Sequence, residues 1–250
     1  MSDEVLTERR GRVLVITLNR PDQMNSINTA LAKGLVAAIE ELDGDPGLSL
    51  GVLTGAGRGF SAGMDLKAFA KEGTPQGFET YIEKGSQKPM IAAIEGFCLA
   101  GGLEMALVCD LLVAADNVRF GIPEVGVGLF AGGGALLRLP RRIPYGVAME
   151  LALTGDPISA SRALELGLVS RLTEKGGALA GALELAERIA KNAPLSLKAS
   201  KAVLRDMAGL TNEEFWAMQT SHIRSVFTSD DAKEGPRAFA EKRPPVWSGS

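Results

Sequence analysis

The sequence predicts an α/β fold with a helical C-terminal region, and three observations carry the prediction. Short apolar runs of strand character alternate with helical periodicity over the first two thirds of the chain, and only helical segments follow. Of the 250 residues, 30 are glycine and only 5% are aromatic, a mix that suits tight turns and close backbone packing. Apolar residues make up 46% and charged residues 23%, enough to bury a substantial core. The mixed core is expected to span 1–194 and the helical region 195–250, with the boundary at Pro194.

The elements follow in order. "RVLVITLN" (12–19) is read as a strand from its apolar and polar alternation. A helix then starts from the cap residue Asn28, carries Leu31, Leu35, Ala38 and Leu42 at helical spacing, and stops at Asp43-Gly44. "LSLGVLTG" (48–55), "MIAAIEG" (90–96) and "DLLVAAD" (110–116) are buried strands, and a short apolar helix opens at Gly101-Gly102 between the last two. Helices are predicted over 146–154, 159–166 (Ser159 cap, Gly167 stop) and 178–192. A last helix begins at "TNEE", where Thr211 and Glu214 form a capping box. There is no internal repeat or low-complexity tract.

Charge and cysteine usage exclude several function classes. The net charge is −3, and the one basic cluster, Arg138, Arg141 and Arg142, is read as a solvated or ion-paired face. Neither a nucleic acid nor a membrane surface is an expected partner. Cys98 and Cys109 lie in apolar stretches without a C-x-x-C pair, so buried thiols and a cytoplasmic location are expected. The polar N-terminus "MSDEVLTERRGR" has no apolar leader region, and the longest uncharged apolar run, 125–137, is too short and glycine-rich to span a bilayer.

"GFSAG" (59–63) matches the G-x-S-x-G nucleophile elbow, which would make Ser61 an attacking group. The only histidine, His222, lies on an amphipathic helical face with Phe215, Met218 and Val226, a packing position rather than a triad position. "GAGRGF" (55–60) lacks the third glycine of a dinucleotide fingerprint, and "AGGGA" (131–135) lacks the Lys-Ser/Thr of a P-loop. No clustered ligands suggest a metal, so neither a metal nor a redox cofactor is expected.

Two carboxylates and two backbone donors remain. Glu104 sits in "GLEMALVC" and Glu124 in "GIPEVGVG", each among apolar neighbours, where a carboxylate is costly unless paired and its pKa tends to rise. Each alone is more often a structural ion-pair residue than a catalytic one, and the sequence by itself does not bring them together. Gly101, at a helix start, and the glycine turn in "SAGMD" could aim N–H groups at a developing negative oxygen, although glycine more often just closes a turn.

"TLNRPDQMNSIN" (17–28), "GRGFSAGMDLKAF", "AAIEGFCLAGGLEMALVCDLLVAADNVRFGIPEVGVG", "LTGDPISASRALELGLVSRL" and "SDDAKEGPRAFAEKRPPVW" together resemble the enoyl-CoA hydratase/isomerase, or crotonase, family, in order from about residue 10 to 247. The resemblance implies a crotonase-type spiral of β-β-α turns, C-terminal helices that assemble a homotrimer or a dimer of trimers, and an acyl-CoA thioester substrate of fatty-acid metabolism. It implies an oxyanion hole from the backbone N–H groups of Met64 and Gly101, with Glu104 and Glu124 as the acid–base pair of water addition to a 2-enoyl-CoA. Coenzyme A would lie near Gln23, Met24, Ala62, Asp65 and Leu66, with Phe239 and Lys242 reaching in from a neighbouring subunit. Ala131 stands where many hydratases carry proline, in a loop that borders the acyl pocket. The same family resemblance extends to double-bond isomerases, carnitinyl-CoA dehydratase-like lyases, acyl-CoA hydrolases and non-catalytic acyl-CoA- or RNA-binding homologues.

Overall fold

The computed structural model describes residues 3–250. The chain opens with a hairpin, β1 (Val5–Arg10) and β2 (Val13–Leu18), turning at Gly11, whose φ of +60° suits glycine. The polar N-terminal stretch is therefore an edge strand, with four of its six residues outside the core. Next come α1 (Thr29–Gly44), β3 (Leu50–Gly55), α2 (Leu66–Glu72), α3 (Phe78–Lys84), β4 (Met90–Ile94), β5 (Phe97–Leu99), α4 (Gly101–Val108), β6 (Leu111–Ala115) and β7 (Arg119–Gly121). A 3-10 turn (Pro123–Val127) leads to α5 (Ala135–Arg138), α6 (Tyr145–Thr154), β8 (Ile158–Ser159), α7 (Ala160–Glu165), β9 (Arg171–Thr173) and α8 (Ala178–Ala190). The chain ends in α9 (Pro194–Asp206), α10 (Asn212–Phe227) and α11 (Asp230–Ala240).

Six strands form one sheet in the order β1-β2-β3-β4-β6-β9, parallel except for the β1–β2 hairpin. Its four central strands, β2, β3, β4 and β6, are buried on both faces, so the alternation read in 12–19 does not mark a wet face. Leu14, Ile16, Met90, Ala92, Ile94 and Leu112 point into the main core, under α1 and α4. Val13, Leu50, Val52, Ile91, Ala93 and Val113 point the other way, against Ala182 and Ala186 of α8. The side-chain period of two thus divides each strand between two apolar layers.

A second, smaller sheet runs β5-β7-β8. Two isolated bridges extend it, Ser61 with Cys98 and Ile27 with Met64. Each turn of the chain thus lays one strand in the large sheet and a short extended piece in the small one before a helix follows. β9 corrects the expectation that only helices come after the first two thirds, and α11 follows the helix expected to be last. β9 is three residues long, too short for periodicity to register, and is held by pairing with β6. Both cysteines are free and buried. Among the described residues, no helix is long and apolar enough to cross a membrane.

Candidate active site

The "GFSAG" corner is a rung of the small sheet. Ser61 donates its N–H to Phe97 O at 3.3 Å, and its carbonyl accepts the Leu99 N–H at 3.1 Å. The Ser61 hydroxyl is fully buried, donates to Asn25 O at 2.8 Å and accepts the Gly63 N–H at 3.2 Å. It has no histidine partner, and His222 lies on α10 in the C-terminal region. The serine ties two turns of backbone together.

The "NRPDQMN" segment braces the same corner. Asn25, buried and at φ +51°, accepts the Arg20 N–H and donates to Ala56 O and Gly59 O. Arg20 pairs with Asp65 at 3.1 Å, and the Asp65 carboxylate caps α2 by accepting the Lys67 and Ala68 N–H groups. These hydrogen bonds, that from Ala68 foremost, hold the Asp65 carboxyl below the usual carboxylate range.

With the corner fixed, Gly63 at φ +96° lets the chain run directly against the start of α4. A methyl group built there would lie 2.5 Å from Ala100 Cβ and 3.0 Å from Gly101 N, so only glycine fits. Ala100 enters the helix at φ +50° and ψ −132°, a conformation that costs a non-glycine residue on the order of 1–3 kcal/mol. The result is two N–H groups side by side, Met64 and Gly101. Neither has an acceptor among the described residues, and both residues line one cavity of about 680 Å³. The Gly101 N–H also stands at the positive end of α4.

One turn into α4, Glu104 faces the same cavity with 3% of its surface exposed. Its Oε1 accepts the Ala135 N–H at 3.2 Å, and the Gly133 N–H bonds to the carboxylate as well. Burial pushes its pKa up to about 7; the backbone bonds oppose the shift, and the charge of Glu124 adds to it. Glu124, on the 3-10 turn, lines the same cavity, and its Oε2 is buried without a partner among the described residues. Burial raises its pKa too. The fold therefore brings together the two carboxylates that the sequence left apart. Among the described residues no cluster of His, Cys, Asp or Glu is arranged to hold a metal.

The remaining candidates divide by position. Ala62 and Leu66 line the cavity beside Met64, with Leu66 half exposed. Gln23 and Met24 lie on the exposed turn that leads to Asn25. Phe239 on α11 is 87% exposed, and Lys242 follows that helix at φ +55°; neither lines the cavity.

The apolar walls come from residues that sequence reasoning passed over: Phe69 on α2, Phe78 and Ile82 on α3, and Leu129 and Phe130. The i, i+3, i+4 spacing of Phe78, Tyr81 and Ile82 was a usable signal for α3. The 128–135 loop does border the cavity, through Leu129, Phe130, Gly132 and Gly133, whereas Ala131 is buried in the core behind it.

A family model described as enoyl-CoA hydratase/isomerase matches residues 8–250. The chain belongs to the enoyl-CoA hydratase/isomerase family. It is 42% identical to enoyl-CoA hydratase EchA19 of Mycobacterium tuberculosis, over 97% of this chain and 95% of that one. It is 38% identical to carnitinyl-CoA dehydratase of Salmonella typhi over the whole of both chains. A crystal structure of an enoyl-CoA hydratase from M. tuberculosis H37Rv superposes with a TM-score of 0.95 at 53% identity, covering both chains fully. The two-sheet spiral with its C-terminal helices is the crotonase fold, and the chain is an enzyme of this family.

Proposed function

We propose that the enzyme adds water reversibly across the Cα=Cβ bond of a 2-enoyl-CoA thioester. The observation that carries this reading is the meeting, in one cavity, of two partly buried carboxylates and two N–H groups without acceptors. The thioester oxygen accepts from Met64 and Gly101. The Glu104 carboxylate takes a proton from water, whose oxygen bonds to Cβ. The double-bond electrons move to the thioester as an enolate, which the two N–H groups stabilise by on the order of 3 kcal/mol each. Glu124, protonated, delivers its proton to Cα, and exchange with solvent resets the pair. Two neighbouring carboxylates do not ionise together easily, and burial reinforces the division into one base and one acid.

Coenzyme A is part of the substrate, and the steps call on no metal or redox group. In this reading its nucleotide and pantetheine lie along Gln23, Met24, Ala62, Asp65 and Leu66. The exposed Phe239 and Lys242 serve the site of a neighbouring subunit in a trimer or dimer of trimers. A second reading, dehydration of a 3-hydroxyacyl-CoA, is favoured by the full-length match to a carnitinyl-CoA dehydratase and runs the same steps in reverse.

Both readings are tested with 2-enoyl-, 3-enoyl- and 3-hydroxyacyl-CoA substrates, following the absorbance of the conjugated thioester. Glu104→Gln and Glu124→Gln, assayed separately, are each expected to lose about 10²–10⁴-fold in kcat. Near-full activity in either variant would eliminate the paired mechanism.

A further inference from the structure

The arginine cluster expected on a solvated face turns partly inward. Arg141 is exposed, but Arg138 and Arg142 are half-buried. Arg142 donates to Leu107 O and Cys109 O, at the C-terminal end of the helix that carries Glu104. Arg138 works at the other end of that system. Its guanidinium donates to Ile82 O on α3 and points one nitrogen at Gly134, where even a methyl group would collide with that nitrogen at 2.1 Å. Gly134 sits between Gly133 and Ala135, whose N–H groups hold the Glu104 carboxylate.

No carboxylate among the described residues forms an ion pair with Arg138. Its positive charge still acts on Glu104 and favours the ionised form there. A guanidinium can donate from one nitrogen, fill space with another and keep its charge, because it is a planar fork and permanently protonated.

We propose that Arg138 is a positioning residue for Glu104, fixing the 133–135 turn that holds the carboxylate and supplying the cationic charge beside it. This rests on the reading of Glu104 as the base. Other groups face the pair from the elements packed around it. Glu124 approaches from the 3-10 turn, while Glu79 and Glu83 of α3 line the same cavity. Tyr81 and Arg141 act on Arg138, and Cys98 lies buried on β5. Arg142, at the far end of α4, also faces Arg138, and of these three arginines Arg138 is the one whose charge bears on Glu104.

The test titrates Glu104 directly in the intact protein carrying ¹³C-labelled glutamate side-chain carboxyls. The resonance missing from Glu104→Gln identifies the group. In Arg138→Met the carboxylate loses its cation, so its midpoint is expected to rise by about one unit. In Arg138→Lys the charge returns without the planar fork. The midpoint should then stay within about 0.3 unit of wild type, while kcat for hydration falls about tenfold with KM little changed. An unmoved midpoint in a natively melting Arg138→Met protein overturns the proposal. If Arg138→Met does not fold, Arg138→Lys decides, because wild-type kcat there also overturns it. The titration needs no substrate, so a protein that shows the shift but hydrates nothing would sink the hydratase reading and leave the assignment of Arg138 standing.

Discussion

Asp65, between the cavity-lining Met64 and Leu66, and Glu104, on the cavity wall, each accept two backbone N–H groups, yet they titrate in opposite directions. Asp65 caps α2 and touches the Arg20 guanidinium, with enough solvent contact to keep its charged form hydrated. Its pKa falls. Glu104 is sealed among apolar side chains, faces Glu124, and has its arginine at one remove, so its pKa climbs to about 7. Counting hydrogen bonds would rank the two sites as equals. Desolvation and the placement of the nearest cation separate a structural cap from a group that can exchange protons at neutral pH.

On its cavity side Glu104 shares its site with the Met64 and Gly101 N–H groups, and Gly63 is where that arrangement is most easily broken. In Gly63→Ala the added methyl meets Ala100 Cβ and the Gly101 nitrogen, at a φ that alanine rarely adopts. The two donors should be pushed apart. Steady-state kinetics on the preferred thioester should show a kcat loss of about 10²–10³-fold, the usual cost of one misplaced oxyanion donor. A drop in KM affinity alone, with kcat kept, would mean that these N–H groups bind substrate without favouring the transition state.

The next effect follows from linkage. Glu104 binds its proton more tightly folded than unfolded, so between the unfolded value near 4.5 and the folded value of about 7 the folded state holds more protons. Stability contributed at this site is present below pH 4.5 and is lost as pH rises towards and past 7. The loss amounts to about 3 kcal/mol. Glu104→Gln removes that titration. Its denaturant midpoint should exceed that of wild type at pH 8 and approach it at pH 5, while activity is lost. A midpoint difference independent of pH would show that Glu104 is not strained by its charge.

The four central strands of the large sheet, α1 and α8 were legible in the sequence because each is long enough for its pattern to show, and α4 because glycines open a short apolar run, whereas β1 and β9 at the sheet's edges were not. Glu104 and Glu124 were legible as charged residues in apolar stretches, but their meeting depends on α4 and the 3-10 turn packing around one cavity. The small sheet was hidden, since its pieces are two or three residues long or single bridges, and pairing rather than propensity makes them extended. That is why "GFSAG" resembles a nucleophile elbow. Both motifs need small residues at a strand-to-turn corner, and here the corner serves the Met64 N–H while the serine hydroxyl is spent on Asn25 O. The walls from α2 and α3 were passed over because the segment 66–84 is short and mostly polar, and its apolar face has meaning only opposite Leu129 and Phe130.

The smallest effect is expected at Asp65, and it has the opposite sign to that at Glu104. Asparagine is as good an N-cap as aspartate, so Asp65→Asn keeps the acceptor for the Lys67 and Ala68 N–H groups. It removes the charge that Arg20 faces at 3.1 Å, but Arg20 retains the Ser26 carbonyl and Glu4. The cost should be about 1 kcal/mol at neutral pH. The wild-type carboxylate has its pKa lowered on folding, so its contribution is present above about 4 and disappears as pH falls below that. Chemical denaturation at pH 7 and pH 3 should therefore show the two proteins apart at the first and converging at the second. Glu104→Gln should differ from wild type in the alkaline half of the range and Asp65→Asn down to the acidic end. If Asp65→Asn instead cost more at pH 3 than at pH 7, the cap would be working through its protonated form, and the contrast between the two carboxylates would have to be sought in their hydrogen bonds.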